Sequence, residues 1–91
     1  MTPIESLHAA VLRGDAKSAR AVTEEALRAG ENALRLVTEG MVPAMDEAGR
    51  RFDCSEFFVP ELLLAARAMK AALELIRDFL TGQLPSEERD T

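Results

Sequence analysis

The segment from Pro60 to Leu80 carries apolar residues at intervals of three to four positions, and this pattern most constrains the fold. The spacing predicts one helix of about twenty residues, a rod of roughly 30 Å. Its inner face is predicted to be Leu62, Ala66, Met69, Leu73, Ile76 and Leu80, widened by Leu63, Leu75 and Phe79. An amphipathic rod of this kind is typical of a helical bundle.

Shorter helices are predicted upstream from their start and stop signals. Thr2 can cap the first helix and Gly14 stops it, whereas Asp15 caps the second and Gly30 ends it. The second helix has an inner stripe that is mostly alanine, which allows a neighbouring helix to approach closely: Ala19, Val22, Ala26 and Ala29.

A third helical segment starts near Asn32 and meets Gly40 and Pro43. Proline inside a helix removes a hydrogen bond and clashes with the preceding turn. Either one long helix is kinked here, or a short helix is followed by a new one with Pro43 in its first turn; we favour the second solution. The new helix ends near Phe52, and its internal Gly49 marks either close packing or a ligand lying against the backbone.

Composition supports an all-α fold. Alanine and leucine, which lose little entropy in a helix, are abundant, and hydrophobic residues make up 47% of the chain. We therefore predict a four- to five-helix bundle with short loops. Residues 1–80 form this domain, and the polar residues 81–91 form a linker or a disordered tail.

Several classes of partner are disfavoured. A net charge of −5 without a basic stripe argues against binding to nucleic acid or to anionic lipid. No apolar run is long enough to span a bilayer, and no secretory leader opens the chain. The single cysteine, Cys54, cannot form an internal disulfide and suits the reducing cytoplasm.

Catalysis by this chain is also disfavoured. His8 is the only histidine and has no evident acid or nucleophile partner, so we interpret it as a structural residue. Cys54 has acidic neighbours, which do not activate a thiol. The carboxylates lack the Glu-x-x-His pairs of bundle metal sites and are interpreted as a solvated face: Glu24, Glu25, Glu39, Asp46 and Glu47. We predict no catalytic residue and no metal ligand.

Three apolar residues flank the predicted loop 53–56, with Phe52 before it and Val59 and Leu62 after it. One interpretation is plain core packing. The other is an apolar lid that a helical corner presents to a flat hydrophobic ligand. The lid requires the three side chains to gather at one end of the bundle and to be partly exposed.

Four short motifs resemble the helical cap domain of cobalamin-binding proteins, the family of methionine synthase and the methyltransferase corrinoid proteins. They read GMVPAM at 40–45, AGRRF at 48–52, SEFFVPELL at 55–63 and AARAM at 65–69. The resemblance spans about residues 34–80. Ala44 and Ser55 depart from it, since the family has glycine at both positions, and Ser55 is expected to shift the loop.

The resemblance implies a cap that covers the upper face of methylcobalamin during methyl transfer, with Phe52, Val59 and Leu62 touching the cofactor. Light-sensing relatives instead carry Trp at position 52 and Glu-His at 62–63. The implied partners are a cobalamin-holding α/β domain, expected outside this sequence, and a methyltransferase. The chain alone is then an accessory module that binds cobalamin weakly or not at all, and its exposed apolar corner favours a homodimer.

Two other interpretations stay open at the level of sequence. The first is an unrelated helical module for protein interaction or dimerisation, in which the three apolar residues are buried or scattered. The second is a small metal-dependent bundle enzyme, which requires carboxylates converging inside the bundle.

Overall fold

The computed structural model describes residues 2–82, which form a helical bundle with no strand. The elements are α1 (Pro3–Leu12), α2 (Ala16–Arg28), the short α3 (Ala33–Arg35), a π-helical turn (Leu36–Met41), α4 (Val42–Asp53) and α5 (Val59–Leu80). The prediction of an all-α bundle of four to five helices is confirmed. No helix within this range is both long and apolar enough to cross a bilayer.

The predicted helix starts are confirmed by their capping hydrogen bonds. The Thr2 hydroxyl accepts from the Glu5 N–H at 3.1 Å, and the Glu5 carboxylate accepts from the Thr2 N–H at 3.1 Å. The Asp15 carboxylate accepts from the Ser18 N–H at 3.0 Å. The side chain of Asn32 caps α3 by accepting from Leu34 N–H at 2.8 Å. These bonds satisfy N–H groups that have no partner inside the helix.

The segment around Pro43 combines both solutions considered from the sequence. Pro43 lies in the first turn of α4, as favoured. No loop separates α3 from α4, however, because the π-helical turn joins them, with the Val42 N–H donating to the Val37 carbonyl. This wider turn changes the hydrogen-bond register of the helix just before Pro43, which has no N–H to donate.

The seam between α2 and α5 is the most extensive helix contact, and alanine lines both sides of it. Ala19 and Ala26 of α2 are buried, as predicted, whereas Ala29 is exposed. The predicted inner face of α5 is correct in part: Ile76 is buried and Leu62, Met69 and Leu73 are half-buried, whereas Ala66 and Leu80 are exposed. Of the residues predicted to widen this face, Leu75 is buried, and Leu63 and Phe79 are exposed. The buried residues of α5 are Ala65, Ala68, Ala72, Leu75 and Ile76. Close approach of two helices requires small side chains at the seam, and the spacing of apolar residues alone does not distinguish these alanines from the larger apolar residues beside them.

The turn between α1 and α2 holds the first part of α5 in place. Gly14 adopts φ +74° and lies so close to α5 that a Cβ atom on it would come within 2.6 Å of the Leu64 Cβ and 3.2 Å of the Leu64 carbonyl carbon. The position of the α5 N-terminus is therefore fixed by backbone contact as well as by side-chain packing.

Candidate functional site

The corner between α4 and α5 is a compact turn, and it is closed by main-chain hydrogen bonds. The Ser55 N–H donates to the Phe52 carbonyl at 3.1 Å and the Glu56 N–H to the Arg51 carbonyl at 2.7 Å, which together form a Schellman motif. The Phe57 N–H also donates to the Arg51 carbonyl, at 3.0 Å. The loop comprises residues 54–58, so the predicted loop 53–56 began one residue early and ended two residues early.

Arg51 reinforces this corner with its side chain. Its guanidinium lies over the Phe57 ring, 5.5 Å from the centroid, and its Nε donates to the Glu47 carboxylate at 2.8 Å. Arg50 donates to the same carboxylate at 2.6 Å. Hydrogen bonds from Arg50 and then Arg51 lower the pKa of Glu47 to about 2, so this carboxylate stays charged at neutral pH.

The first turn of α5 has its own cap. Phe58 has extended backbone geometry, and its N–H donates to the Glu61 carboxylate at 2.9 Å. Pro60 follows in the first turn, where its missing N–H removes no helical bond. This arrangement sets the direction in which Phe58 and Val59 leave the corner.

The three predicted contact residues lie at this corner. Phe52 is in the last turn of α4 and is 41% exposed. Val59 and Leu62 are three residues apart on α5 and therefore lie on one side of it. Val59 is 54% exposed and Leu62 is half-buried. All three retain accessible surface, as a lid requires and plain core packing does not.

Two further apolar side chains beside the α4–α5 turn are exposed. Phe58 is 62% exposed and Leu63 is 64% exposed. The sequence left open whether Phe57 or Phe58 would be exposed, and the structure shows that Phe57 is half-buried under Arg51. We call the set Phe52, Phe58, Val59, Leu62 and Leu63 the apolar corner. The prediction that Leu63 widens the inner face of α5 is wrong, because its side chain is exposed.

A groove of about 410 Å³ lies next to the apolar corner, on the side of α1. Its lining includes Leu12, Arg51, Phe57 and Leu64, but none of the three predicted contact residues. Phe52, Val59 and Leu62 thus lie outside this groove.

Of the residues considered for catalysis, His8, Asp46 and Glu47 line one open groove, and Cys54, Glu24, Glu25 and Glu39 are not part of its lining. His8 is half-buried on α1, and Cys54 is exposed at the end of α4. Three of the acidic residues form exposed or partly exposed ion pairs along their own helices, namely Glu24 with Arg28, Glu39 with Arg35, and Glu47 with Arg50 and Arg51. Within residues 2–82 no group of three metal-binding side chains converges.

Ser55 occupies a left-handed conformation, with φ +66°. It therefore keeps the turn that a glycine would form and bears the strain of a Cβ atom there. We predict that Ser55→Gly raises the free energy of unfolding by about 0.5–1 kcal/mol in urea titration. Ser55→Ala is the control, since it keeps the Cβ atom and should give no gain. A glycine variant no more stable than the alanine variant would contradict this account.

Comparison with known proteins identifies the domain. Residues 3–77 match the sequence profile of the family described as "B12 binding domain". Monomethylamine corrinoid protein 1 of Methanosarcina mazei is 32% identical over 72 residues, which cover 79% of this chain and 33% of that protein. Trimethylamine corrinoid protein 2 of the same organism is 42% identical over 62 residues, which cover 68% of this chain and 28% of that protein.

A solved structure shows the same fold. The monomethylamine corrinoid protein of Methanosarcina barkeri superposes with a TM-score of 0.82 and 28% sequence identity, covering 86% of this chain and 37% of that one. The chain spans about a third of the length of the curated relatives it matches. No finding supports an unrelated interaction module. The resemblance seen in the sequence is confirmed, and the chain belongs to the B12-binding domain family as a helical cap of the corrinoid-protein type.

Proposed function

We propose that this chain covers the upper face of methylcobalamin in a corrinoid protein that transfers methyl groups. The observation that carries the proposal is the partial exposure of Phe52, Val59 and Leu62 where α4 meets α5. These side chains offer carbon and no hydrogen-bonding group, which is the chemistry suited to a methyl group above a flat ring.

The residues present are suited to covering the cofactor and not to ligating its cobalt. None of the three contact residues can ligate a metal, and the lone histidine is on α1, away from the α4–α5 loop in sequence. When bound, methylcobalamin supplies a methyl group on cobalt for transfer. Phe52, Val59 and Leu62 then exclude water and oxidants from that group until the cap moves aside.

The rest of the machinery is proposed to come from outside these residues. A separate α/β domain holds the cobalamin, a methyltransferase exchanges the methyl group, and this chain adds no catalytic residue of its own. Residues 1–80 form the cap and 81–91 a linker; of the latter, only Thr81 and Gly82 lie within the described residues. We place the chain in the cytoplasm, where an exposed thiol such as that of Cys54 stays reduced.

A chimera tests the proposal. In it, this chain replaces the matching segment of the Methanosarcina barkeri monomethylamine corrinoid protein, and the product is loaded with methylcobalamin without air and in dim light. The rate at which methylcobalamin is lost under visible light is followed by absorbance. We expect loss to be slower than in the same protein with the matching segment deleted, because the cap shelters the methyl group.

Free methylcobalamin should bind this chain only weakly. One apolar patch cannot offset the entropy lost when a large ligand is immobilised without coordination of its metal or contacts to its tail. Isothermal titration calorimetry of the 91-residue chain should therefore show a dissociation constant well above 1 μM, a bound that separates weak from specific binding. Sub-micromolar affinity would contradict the prediction.

Self-association is expected when the cofactor domain is absent. Phe52, Phe58 and Val59 together expose apolar surface of the kind that drives association. We predict a homodimer or a concentration-dependent oligomer in sedimentation velocity, weakened by Phe58→Asp. Leu80→Asp is the control, because Leu80 is equally exposed but lies at the opposite end of α5. A single monomeric species at all concentrations would refute the prediction.

A further inference from the structure

Gly49 lies in the interior of α4, where glycine is unfavourable. A helix-interior glycine costs about 1 kcal/mol relative to alanine, because it loses more backbone freedom. Two structural reasons commonly justify that cost: a backbone conformation that other residues avoid, or a neighbour so close that no Cβ atom fits.

Neither reason holds for Gly49 within the described residues. Its backbone is helical, and positive φ occurs instead at Gly14, Gly30, Gly82 and Ser55. A Cβ atom built on it meets no heavy atom within 4 Å. Gly40 differs, since a Cβ atom there would lie 3.3 Å from the Leu7 side chain. Packing inside the described bundle therefore gives no reason for a glycine at position 49.

The position of Gly49 indicates what uses this space. It precedes Phe52 by three residues, so the two lie on the same side of α4, one turn apart. Gly49 is half-buried, with open space where a side chain would project. The surface next to the apolar corner therefore continues along α4 as bare helix backbone.

We propose that Gly49 is a cofactor-contact position, at which the edge of the corrin ring and its peripheral substituents lie directly against the α4 backbone. This inference rests on the proposed function. A flat macrocycle that touches Phe52 extends well beyond that one side chain, and a side chain at position 49 would hold its edge away from the helix. Contact at Phe52, Val59 and Leu62 would then open.

A size series at position 49 in the chimera tests this proposal. Gly49→Ala and Gly49→Val both improve helix propensity, so neither should lower the urea midpoint. Loss of methylcobalamin under light should nevertheless accelerate several-fold, and more for valine than for alanine. Ala21→Val is the control for added bulk, because Ala21 is exposed on α2, and it should leave the rate unchanged.

The outcomes separate the two proposals. If the chimera slows the loss of methylcobalamin and the rate rises with side-chain size at position 49, both proposals are supported. If the chimera slows the loss but the Gly49→Ala and Gly49→Val chimeras lose methylcobalamin at the same rate as the unsubstituted chimera, the role of Gly49 is overturned and the covering function stands. If the chimera gives no slowing, the covering function is overturned, and the role of Gly49 with it. A lower urea midpoint for Gly49→Ala would reveal tight packing and would also overturn the inference.

Discussion

Gly14→Ala is expected to lower the free energy of unfolding by about 3 kcal/mol or more, whereas Gly30→Ala lowers it by only about 1 kcal/mol. Both glycines end a helix with positive φ, at +74° and +93°, so both variants carry the left-handed strain of an alanine. Only at Gly14 does the new Cβ atom also meet Leu64, at 2.6 Å, with backbone atoms behind it. At Gly30 no atom lies within 4 Å.

The difference between the two variants isolates the contact that holds α5 against the α1–α2 turn. Urea titrations of the wild type and both variants measure it directly, provided that the slope with urea is the same for all three. Because Leu64 follows Leu62 by two residues, the Gly14 variant should also perturb the amide chemical shifts of the apolar corner. Equal losses of stability for the two variants would show that α5 is not held by this contact.

Truncation of the three contact residues should weaken closure of the cap on the cofactor. Burying the exposed part of Phe52 contributes about 1–2 kcal/mol, so Phe52→Ala should lower the closed-to-open ratio roughly 5- to 30-fold. Val59→Ala should have a smaller effect, because less surface is removed. The combined Phe52→Ala, Val59→Ala and Leu62→Ala variant should expose the cofactor almost as fully as deletion of the cap.

The measurement is the rate of methylcobalamin loss under light in the chimera, for each variant. Leu80→Ala is a matched control: Leu80 is 68% exposed on the same helix, but roughly 30 Å from Val59. It should leave the rate unchanged. If Leu80→Ala accelerates the loss as much as Phe52→Ala does, the effect is general and the apolar corner has no special role.

Much of the fold could be predicted from local signals in the sequence. Thr2, Asp15 and Asn32 begin helices because their side chains accept the N–H groups that a helix start leaves free. Gly14 and Gly30 end helices because a left-handed residue is needed there. Such signals act within a few residues, so they can be recognised without any knowledge of the tertiary structure.

Packing was harder to predict because it depends on distances between helices. The seam of α5 runs through Ala65, Ala68 and Ala72, whereas the apolar spacing favoured the neighbouring Ala66, Met69 and Leu73. Gly14 and Gly30 both have positive φ, and only the structure shows that a Cβ atom would meet α5 at Gly14 and no atom within 4 Å at Gly30. Likewise, a Cβ atom built on Gly49 meets no neighbour within 4 Å, whereas one built on Gly40 lies 3.3 Å from the Leu7 side chain.

The candidate site was predicted mainly through family resemblance. The spacing of Phe52, Val59 and Leu62 placed them on either side of a loop but was equally compatible with a buried core. Their partial exposure depends on how Arg51 and Ser55 close the turn, through bonds between residues that sequence patterns do not pair. Phe57 and Phe58 are adjacent and chemically identical, yet only one lies under Arg51.

The most direct test of the covering role compares the chimera with the same corrinoid protein lacking its cap segment, both loaded with methylcobalamin and illuminated under identical conditions. We predict slower loss of methylcobalamin in the chimera, and return to the rate of the capless protein when Phe52, Val59 and Leu62 are all alanine. Equal rates for the chimera and the capless protein would contradict the assignment.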